Sequence, residues 1–174
     1  LVVSGINQGS NLGLDILSSG TVGGAFQGLF RNIPCVAISV ASLTEVQFEA
    51  AARTAKALAR AMSETSLSSP ILLNVNLPNV EPSRIEGVTI TRLGPRAYME
   101  SVEAGGDRRG THYWIKRNRP MNPHAPKGTD IWAISNNRIS ITPLDVAFPS
   151  SEPSPELDDF AQQVASELGL RGRS

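Results

Sequence analysis

The chain has 174 residues, with 16 basic and 16 acidic side chains, so its formal net charge is zero. A composition of 40% apolar and 18% charged residues is typical of one globular domain and excludes wholesale disorder. The neutral balance argues against binding nucleic acid or a membrane through the whole surface, and no apolar stretch approaches the roughly 18 residues of a membrane span. Cys35 is the single cysteine. It predicts a buried packing thiol, no internal disulfide and a cytoplasmic location.

The chain opens inside an apolar run, Leu1–Val3, which is followed by Ser4 and Gly5. Such a run predicts the end of a buried parallel strand. A central strand needs a neighbour on each side, so we expect sequence upstream of Leu1 to be missing from the chain.

The first half then alternates between loops, helices and strands. Residues 5–19 are rich in Gly, Asn and Ser and predict a loop, after which Ser19 suits an N-cap for a helix from Gly20 to about Phe30. One face of that helix is apolar, and we expect it to be buried: Val22, Ala25, Phe26 and Leu29.

Two further strands flank a long alanine-rich helix. Residues 34–40 and 71–77 predict buried strands, and Thr44–Gln47 has a capping-box pattern that opens a helix to about Met62. Its residues expected to face the sheet are Val46, Ala50, Ala57, Leu58 and Ala61. This alternating order predicts an α/β fold with a parallel sheet and right-handed crossovers.

The second half has short, β-branched segments separated by turn residues. Residues 88–91, 113–115, 131–134 and 139–141 predict hairpin strands, with a tight turn at Asn136-Asn137. Between residues 92 and 127 there are eight basic and three acidic residues, a local excess of five positive charges. We expect a single domain of residues 1–174, with residues 92–135 as an extended hairpin arm. A final helix is predicted from Pro155 to Gly169.

The loop before the first helix has the features of an anion site. Seven of the 15 glycines lie in the first 28 residues, and ligands of open α/β sheets bind beyond the carboxyl ends of the strands. The helix after Ser19 would direct the unpaired N–H groups of Gly20, Thr21 and Val22 into that crevice. No Lys or Arg precedes Arg31, which excludes a Walker loop, and GxGxxG is absent.

An anion held in this loop needs a counter-charge from elsewhere for catalysis. A helix N-terminus contributes about 0.3–1 kcal/mol, whereas phosphate monoester hydrolysis demands accelerations near 10²¹, or about 29 kcal/mol. A divalent cation can supply the difference, and Asn7 offers an amide oxygen of the kind that Mg²⁺ or Mn²⁺ accepts. Asp15 is the one acid among the first 30 residues, so a metal site built only from this loop is short of carboxylates.

Several motifs together resemble those of the SurE family of survival-protein nucleotidases. The resemblance begins with Val3–Gly13 and Asp15, continues through Ser19–Gly23 and Gly28, and extends to about Leu144. Further matching segments are Asn74–Pro78, Gly128–Asp130 and Ile139–Leu144.

The resemblance implies a Rossmann-like three-layer α/β sandwich with a projecting β-hairpin arm and a C-terminal helix. It also implies hydrolysis of 5′- and 3′-nucleoside monophosphates, in some members polyphosphate, with one divalent cation and a metal-activated water, in homodimers or tetramers. By position, Asn7 matches the family's catalytic metal-binding asparagine. Its phosphate-binding stretch matches Asn11, Ser19, Gly20 and Thr21.

Two departures from the family pattern bear on activity. The family's adjacent aspartates and its serine ligand would precede Leu1, so the remaining metal ligands are absent from this chain. Ser18 stands where the family usually has tyrosine. The leading hypothesis is a nucleoside monophosphate phosphatase, and the alternative is a catalytically inactive module that binds phosphate and oligomerises.

Other residues keep simpler interpretations open. Asn7 could be a turn residue that bonds its own backbone, and Asp15 could brace the loop instead of binding a metal. His112 and His124 lie in the basic arm and are expected at the surface, with a general-acid role as the alternative.

Overall fold

The structure is a computed structural model that describes residues 1–64, 69–95, 99–107, 110–118, 125–145 and 155–168. No helix in these ranges is long and apolar enough to cross a membrane. The elements, in chain order, are β1 (Val2–Gln8), α1 (Gly20–Leu29), β2 (Cys35–Val40), α2 (Phe48–Glu64), β3 (Leu72–Leu77), β4 (Val88–Ile90), β5 (Met99–Asp107), β6 (Gly110–Asn118), α3 (Asp130–Ser135), β7 (Ile139–Leu144) and α4 (Pro155–Glu167). Short 3₁₀ helices span Gly13–Ser18 and Pro82–Arg84.

Five strands form one mixed sheet in the order β1-β2-β3-β7-β4. Strands β1, β2 and β3 are parallel, β7 is antiparallel to β3, and β4 is parallel to β7. Successive parallel strands are joined by α1 and α2, which pack on opposite faces of the sheet. Because β1, β2 and β3 follow one another in one direction, two right-handed crossovers would place both helices on one face, so the predicted right-handed crossovers do not both hold. This arrangement confirms the predicted Rossmann-like α/β fold.

The two faces of the sheet bury different helices. Val36, Ile38 and Val75 belong to the apolar cluster that contains Ala51 of α2. Alternate residues of the same strands, such as Cys35 and Ala37, pack with Val22 and Ala25 of α1. Because side chains alternate across a strand, a continuous apolar strand such as β2 is buried on both faces. The sheet is therefore the middle of three layers.

Helix α1 runs against β1 with its amino end at the carboxyl end of the strand. A Cβ on Gly28 would lie 2.7 Å from Cγ2 of Val2, and a Cβ on Gly24 would lie 2.9 Å from Oγ of Ser4. Helix α1 is therefore antiparallel to β1, and its first turn lies toward the carboxyl end of that strand.

Several predicted elements are confirmed. Strands β2 and β3 and helix α1 match the predicted segments within one residue, and α4 begins at Pro155 as predicted. Ser19 caps α1, since its Oγ accepts a hydrogen bond from the N–H of Val22 at 3.2 Å. Cys35 is buried, and burial raises the pKa of its thiol, which fits a packing role. The predicted end of α4 at Gly169 lies outside the described residues.

The predicted loop of residues 5–19 was wrong in its first four residues. Strand β1 continues to Gln8, with Gly5 at φ +121° and a register shift between Ser4 and Asn7, so residues 5–8 are strand and not loop. Among the described strands β1 pairs only with β2, and the side chain of Val3 is 45% exposed. Within the described sheet β1 is therefore an edge strand, and the neighbour expected on its other side stays a prediction.

The predicted strand at residues 131–134 is instead helix α3. Thr129 Oγ1 accepts a hydrogen bond from the N–H of Trp132 at 3.3 Å, which starts a helix despite the β-branched sequence. Ile131 and Ile134 lie three residues apart on one helical face and pack on Leu12. Tertiary burial has overridden β-propensity here. The predicted turn is present at Asn137, with φ +51°, but it connects α3 to β7.

Two other element predictions need correction. Strand β4 pairs in parallel with β7, so residues 88–91 are not part of a hairpin. Helix α2 begins at Phe48, because Glu45 has φ +48° and the N–H of Gln47 donates to Oδ1 of Asn79, which rules out a capping box at residues 44–47. Two residues of α2 that were predicted to be buried are exposed: Ala57 and Ala61.

Strands β5 and β6 form a separate antiparallel hairpin, with Met99 opposite Asn118. Residues 113–115, predicted as a hairpin strand, lie within β6. Tyr113 and Trp114 on this hairpin are exposed. The predicted arm of residues 92–135 contains the hairpin, but its last residues form α3, which packs against the sheet through Ile131 and Ile134.

We expect Gly28→Ala to destabilise the protein, because a Cβ there would lie 2.5 Å from Sγ of Cys35 as well as close to Val2. Overpacking of this kind costs about 1–3 kcal/mol. Gly23→Ala on the same helix is the control, since a Cβ on Gly23 has no atom within 4 Å and alanine favours the helix by up to about 1 kcal/mol. Urea unfolding should move the two midpoints in opposite directions. Equal shifts would refute the close packing of α1.

Candidate functional site

A row of polar side chains crosses the sheet near the carboxyl ends of β1, β2 and β3. In register, Asn7 lies beside Ser39, Ser39 beside Asn76, and Asn76 beside Ser140. On β2 and β3, the same face is apolar nearer the amino ends of the strands, where Cys35 and Leu72 pack under α1. One face of the sheet therefore changes from a core surface to a polar surface along its length.

Asn7 is half-buried on β1, and the nitrogen and oxygen of its side-chain amide differ in their hydrogen bonding. Its Nδ2 donates to the carbonyl of Gly9 at 2.8 Å, which is the turn interaction that the sequence left open. Within the described chain this leaves Oδ1 without a hydrogen bond. Bonding its own backbone and offering an oxygen to a cation are therefore compatible roles for Asn7.

Asn11 is only 8% exposed, and both sides of its peptide unit are held by β3. Its N–H donates to Oδ1 of Asn76 at 2.8 Å, and its carbonyl accepts from Nδ2 of Asn76 and of Asn74, each at 2.9 Å. Its own Nδ2 donates to Oγ of Ser39 at 2.7 Å. Asn11 is buried, and one proton of its side-chain amide is already used in a hydrogen bond. The hydrogen bonds of Asn11 therefore hold the loop on the sheet. Its predicted phosphate contact stays a prediction.

The other predicted phosphate ligands form the first turn of α1. Ser19 and Thr21 are half-buried and Gly20 is exposed. The N–H of Val22, which was expected to be free for an anion, is already satisfied by Oγ of Ser19. Among the described residues the N–H groups of Gly20 and Thr21 have no acceptor, and open space surrounds Gly20. Two backbone donors and two hydroxyls therefore remain for an anion.

Asp130 was not among the predicted site residues, yet it lies directly under the loop. Its side chain is fully buried and accepts from the N–H groups of Gly13 at 2.7 Å, Gly94 at 2.8 Å and Ile131 at 2.8 Å. Burial raises the pKa of this carboxyl, and the three N–H donors oppose that rise. One feature of the sequence could have identified Asp130. It is a single acidic residue that precedes an apolar run and follows the capping residue Thr129.

Buried amides on β3 were the second missed feature. Asn74 and Asn76 are both 0% exposed, and they are two residues apart on one face of the strand. Buried polar side chains need partners, so two asparagines inside an otherwise apolar strand indicate that a polar segment covers them. The sequence motif Asn74–Pro78 was recognised as a resemblance only, and its function in holding the loop was not predicted.

Among the described residues, only Asn7 was predicted to bind a metal, and that role stays a prediction. The described residues contain no group of three His, Cys, Asp or Glu side chains placed to hold a cation. Asn7 fits as one neutral oxygen ligand, but hard cations also take carboxylates. Asp15 lies in the 3₁₀ helix, where its backbone carbonyl accepts a hydrogen bond from Ser18 Oγ at 3.1 Å, and the role of its carboxylate stays a prediction. No step of a reaction can be derived through a metal from these residues alone.

Other candidate groups lie elsewhere. His112 belongs to β6, where its ring makes an edge contact with Trp114 at a centroid distance of 5.5 Å. His124 lies outside the described residues. A groove of about 520 Å³ borders Ser19 but is otherwise lined by residues such as Ile16, Phe26 and Leu93. Its mainly apolar lining does not suit a phosphate group.

Comparison with known proteins identifies the family. The model of the family described as survival protein SurE matches residues 1–100, more than half of the chain. The chain belongs to the SurE family. The family resemblance predicted from Val3–Gly13 and the later motifs is thereby confirmed, and the glycine-rich loop described above lies within the matched region.

SurE relatives extend the match along nearly the whole chain. A 5′-nucleotidase SurE from Thermosynechococcus vestitus is 44% identical over 169 residues, which cover 94% of this chain and 63% of that protein. One from Nitrosomonas europaea is 42% identical over 147 residues, covering 84% of this chain and 59% of that protein. The chain therefore spans about 60% of the length of these curated relatives.

A solved SurE structure has the same fold. The crystal structure of the SurE protein from Aquifex aeolicus is 34% identical, with a TM-score of 0.73, and the match covers 96% of this chain and 65% of that one. The match therefore supports the α/β fold described above.

The cap at Ser19 can be tested by two substitutions. Ser19→Ala removes the acceptor of the Val22 N–H and should lower the free energy of unfolding by about 1 kcal/mol. Ser19→Gly also lacks the hydroxyl, but glycine is tolerated at an N-cap, so its cost should be only a few tenths of a kcal/mol. Urea unfolding measures both. If Ser19→Ala is as stable as the parent protein, the capping bond contributes nothing.

Proposed function

We propose that this chain carries the phosphate-binding part of a divalent-metal-dependent phosphomonoesterase that hydrolyses nucleoside monophosphates. Family membership and relatives named 5′-nucleotidase SurE support the proposal. The observation that carries it is the first turn of α1, where the N–H groups of Gly20 and Thr21 lack acceptors among the described residues. That turn lies toward the carboxyl end of β1, which also bears Asn7.

Phosphate binding would rest on neutral donors. The two N–H groups of the first turn, the hydroxyls of Ser19 and Thr21, and the positive end of the helix dipole all favour an anion. Ser19 Oγ accepts from the Val22 N–H, and its own proton stays available to a phosphoryl oxygen. These groups bind and orient the phosphate, but their combined effect is far below the barrier to hydrolysis.

The cation is proposed to be Mg²⁺ or Mn²⁺, with Oδ1 of Asn7 as one ligand and carboxylates from outside the described residues as others. When bound, such an ion polarises phosphoryl oxygens and lowers the pKa of a coordinated water. Water is the proposed nucleophile. Ser19 is assigned to phosphate because its hydroxyl caps α1, and the described histidine, His112, lies on the separate β5–β6 hairpin.

An inactive phosphate-binding and oligomerising module is the second candidate. It is favoured by the single candidate metal ligand among the described residues. In both cases we propose a homodimer or tetramer that assembles through the β5–β6 hairpin, whose Tyr113 and Trp114 are 69% and 62% exposed. Polyphosphate hydrolysis and a cytoplasmic location remain predictions.

Release of phosphate from AMP distinguishes these candidates. We expect the complete protein to hydrolyse AMP with Mg²⁺ or Mn²⁺ and to lose activity in EDTA, because the helix terminus alone cannot stabilise the transition state. Restoring the cation should restore the rate. Undiminished hydrolysis in EDTA would contradict the metal-dependent mechanism. Phosphate binding without hydrolysis under any of these conditions would identify the inactive module.

Asn7→Ala tests the proposed ligand. Loss of one ligand should reduce the apparent affinity for Mn²⁺, and with it the rate at limiting metal, by roughly tenfold to a hundredfold. Gln8→Ala is the matched control, since Gln8 is the exposed neighbour whose amide donates to the carbonyl of Leu43. Metal titrations of AMP hydrolysis measure both variants. A normal metal dependence in Asn7→Ala would remove Asn7 from the site.

A further inference from the structure

Asp130 joins three segments that are distant in sequence. Its Oδ2 accepts from the N–H of Gly13, which is 117 residues away, and its Oδ1 accepts from Gly94 and Ile131. Gly13 begins the 3₁₀ helix that leads directly to Ser19. Gly94 follows β4, on the path to the β5–β6 hairpin. One carboxylate therefore fixes the loop before the first turn of α1 to the base of the hairpin.

The contact between these segments leaves almost no free space. Gly13 has φ +53°, and a Cβ there would lie 1.9 Å from the carbonyl oxygen of Pro95. The loop backbone thus lies directly against the chain that enters the hairpin. Asn76 holds the same loop two residues earlier, at Asn11, so the loop is fixed from two sides.

We propose that Asp130 is a positioning residue for phosphate binding, acting through the backbone N–H of Gly13. The inference rests on the proposed function, because it takes the first turn of α1 as the phosphate site. Asp130 touches no substrate in this scheme. It fixes the orientation of the 3₁₀ helix and therefore the positions of Ser19, Gly20 and Thr21, which follow that helix. Position matters because small displacements of binding groups weaken binding strongly.

Asp130→Asn breaks one of the three bonds selectively. The amide oxygen can keep the two donors of Gly94 and Ile131, which share Oδ1 in the parent protein. The amide nitrogen then faces the N–H of Gly13, so that a donor opposes a donor. The volume of the side chain is almost unchanged, and the loop loses its anchor at Gly13 while the other two contacts remain.

Thr129→Ala is the matched control for loss of stability. Thr129 precedes Asp130 and caps the same helix through the N–H of Trp132, but it makes no hydrogen bond to the loop of residues 9–13. Both variants should lower the free energy of unfolding. Only Asp130→Asn should alter phosphate binding.

The experiment is calorimetric titration of the complete protein with inorganic phosphate. We expect Asp130→Asn to raise the Kd by roughly tenfold, the effect of losing one charge-assisted bond and opposing two donors. Thr129→Ala should leave the Kd unchanged. In AMP hydrolysis, Asp130→Asn should raise KM more than it lowers kcat, whereas mere loss of folded protein lowers kcat alone. An unaltered Kd in folded Asp130→Asn, or an equal rise in Thr129→Ala, overturns the inference.

A measurement on the unsubstituted protein covers the case in which Asp130→Asn does not fold. Binding free energies are reciprocal, so if the Gly13–Asp130 bond favours phosphate, phosphate must favour that bond. Hydrogen exchange of the Gly13 amide should slow on saturation with inorganic phosphate. Unchanged exchange would overturn the inference.

The outcomes separate this inference from the proposed function. Phosphate binding that depends on Asp130, without AMP hydrolysis, would refute the proposed enzyme and support the positioning role. AMP hydrolysis with unaltered phosphate binding in Asp130→Asn would do the reverse. If the parent protein binds no phosphate, both fall.

Discussion

The site depends on a reciprocal pair of hydrogen bonds between one side chain and one peptide unit. Asn76 accepts the N–H of Asn11 through Oδ1 and donates to the carbonyl of the same residue through Nδ2. Both residues are buried, and an unpaired polar group at such a position costs about 1–3 kcal/mol. The loop is therefore held where its backbone satisfies the sheet. A path of the loop away from Asn11 would leave the buried side-chain amide of Asn76 without these partners.

The same requirement explains why one face of the sheet has two characters. Beneath α1 the face is built from Cys35, Ala37 and Leu72, which pack with apolar helix residues. Farther along the strands the face carries Ser39 and Asn76. Their polar atoms pair with the backbone and the side-chain amide of Asn11. Helices bury apolar surface well, whereas irregular loops bring many unpaired polar groups. The change from helix cover to loop cover thus follows from the change from apolar to polar residues along one face of β2 and β3.

The sequence was informative where local signals and tertiary packing agree. Ser19, the glycine-rich approach and the apolar stripe of α1 predicted that helix and its cap, because each signal acts within a few residues. Residues 131–134 failed because burial of Ile131 against Leu12, more than a hundred positions away, decides their conformation. Asp130 was missed for the same reason, since its partner Gly13 lies at a separation that no local pattern reports. Family motifs identified these segments but not their contacts.

The anchors of the loop at Asn11 are carboxamides and a serine hydroxyl, and these groups have no acid or base form in ordinary buffers. The loop is thus secured by dipoles that bear no net charge. An anion with two negative charges that approaches the amino end of α1 is not repelled by Asn11, Asn74 or Asn76, because these side chains are uncharged. Lowering the pH also does not break their hydrogen bonds. Among the hydrogen bonds described around the loop, only the one that the Gly13 N–H donates to Asp130 involves a group that can be protonated or deprotonated as the pH changes.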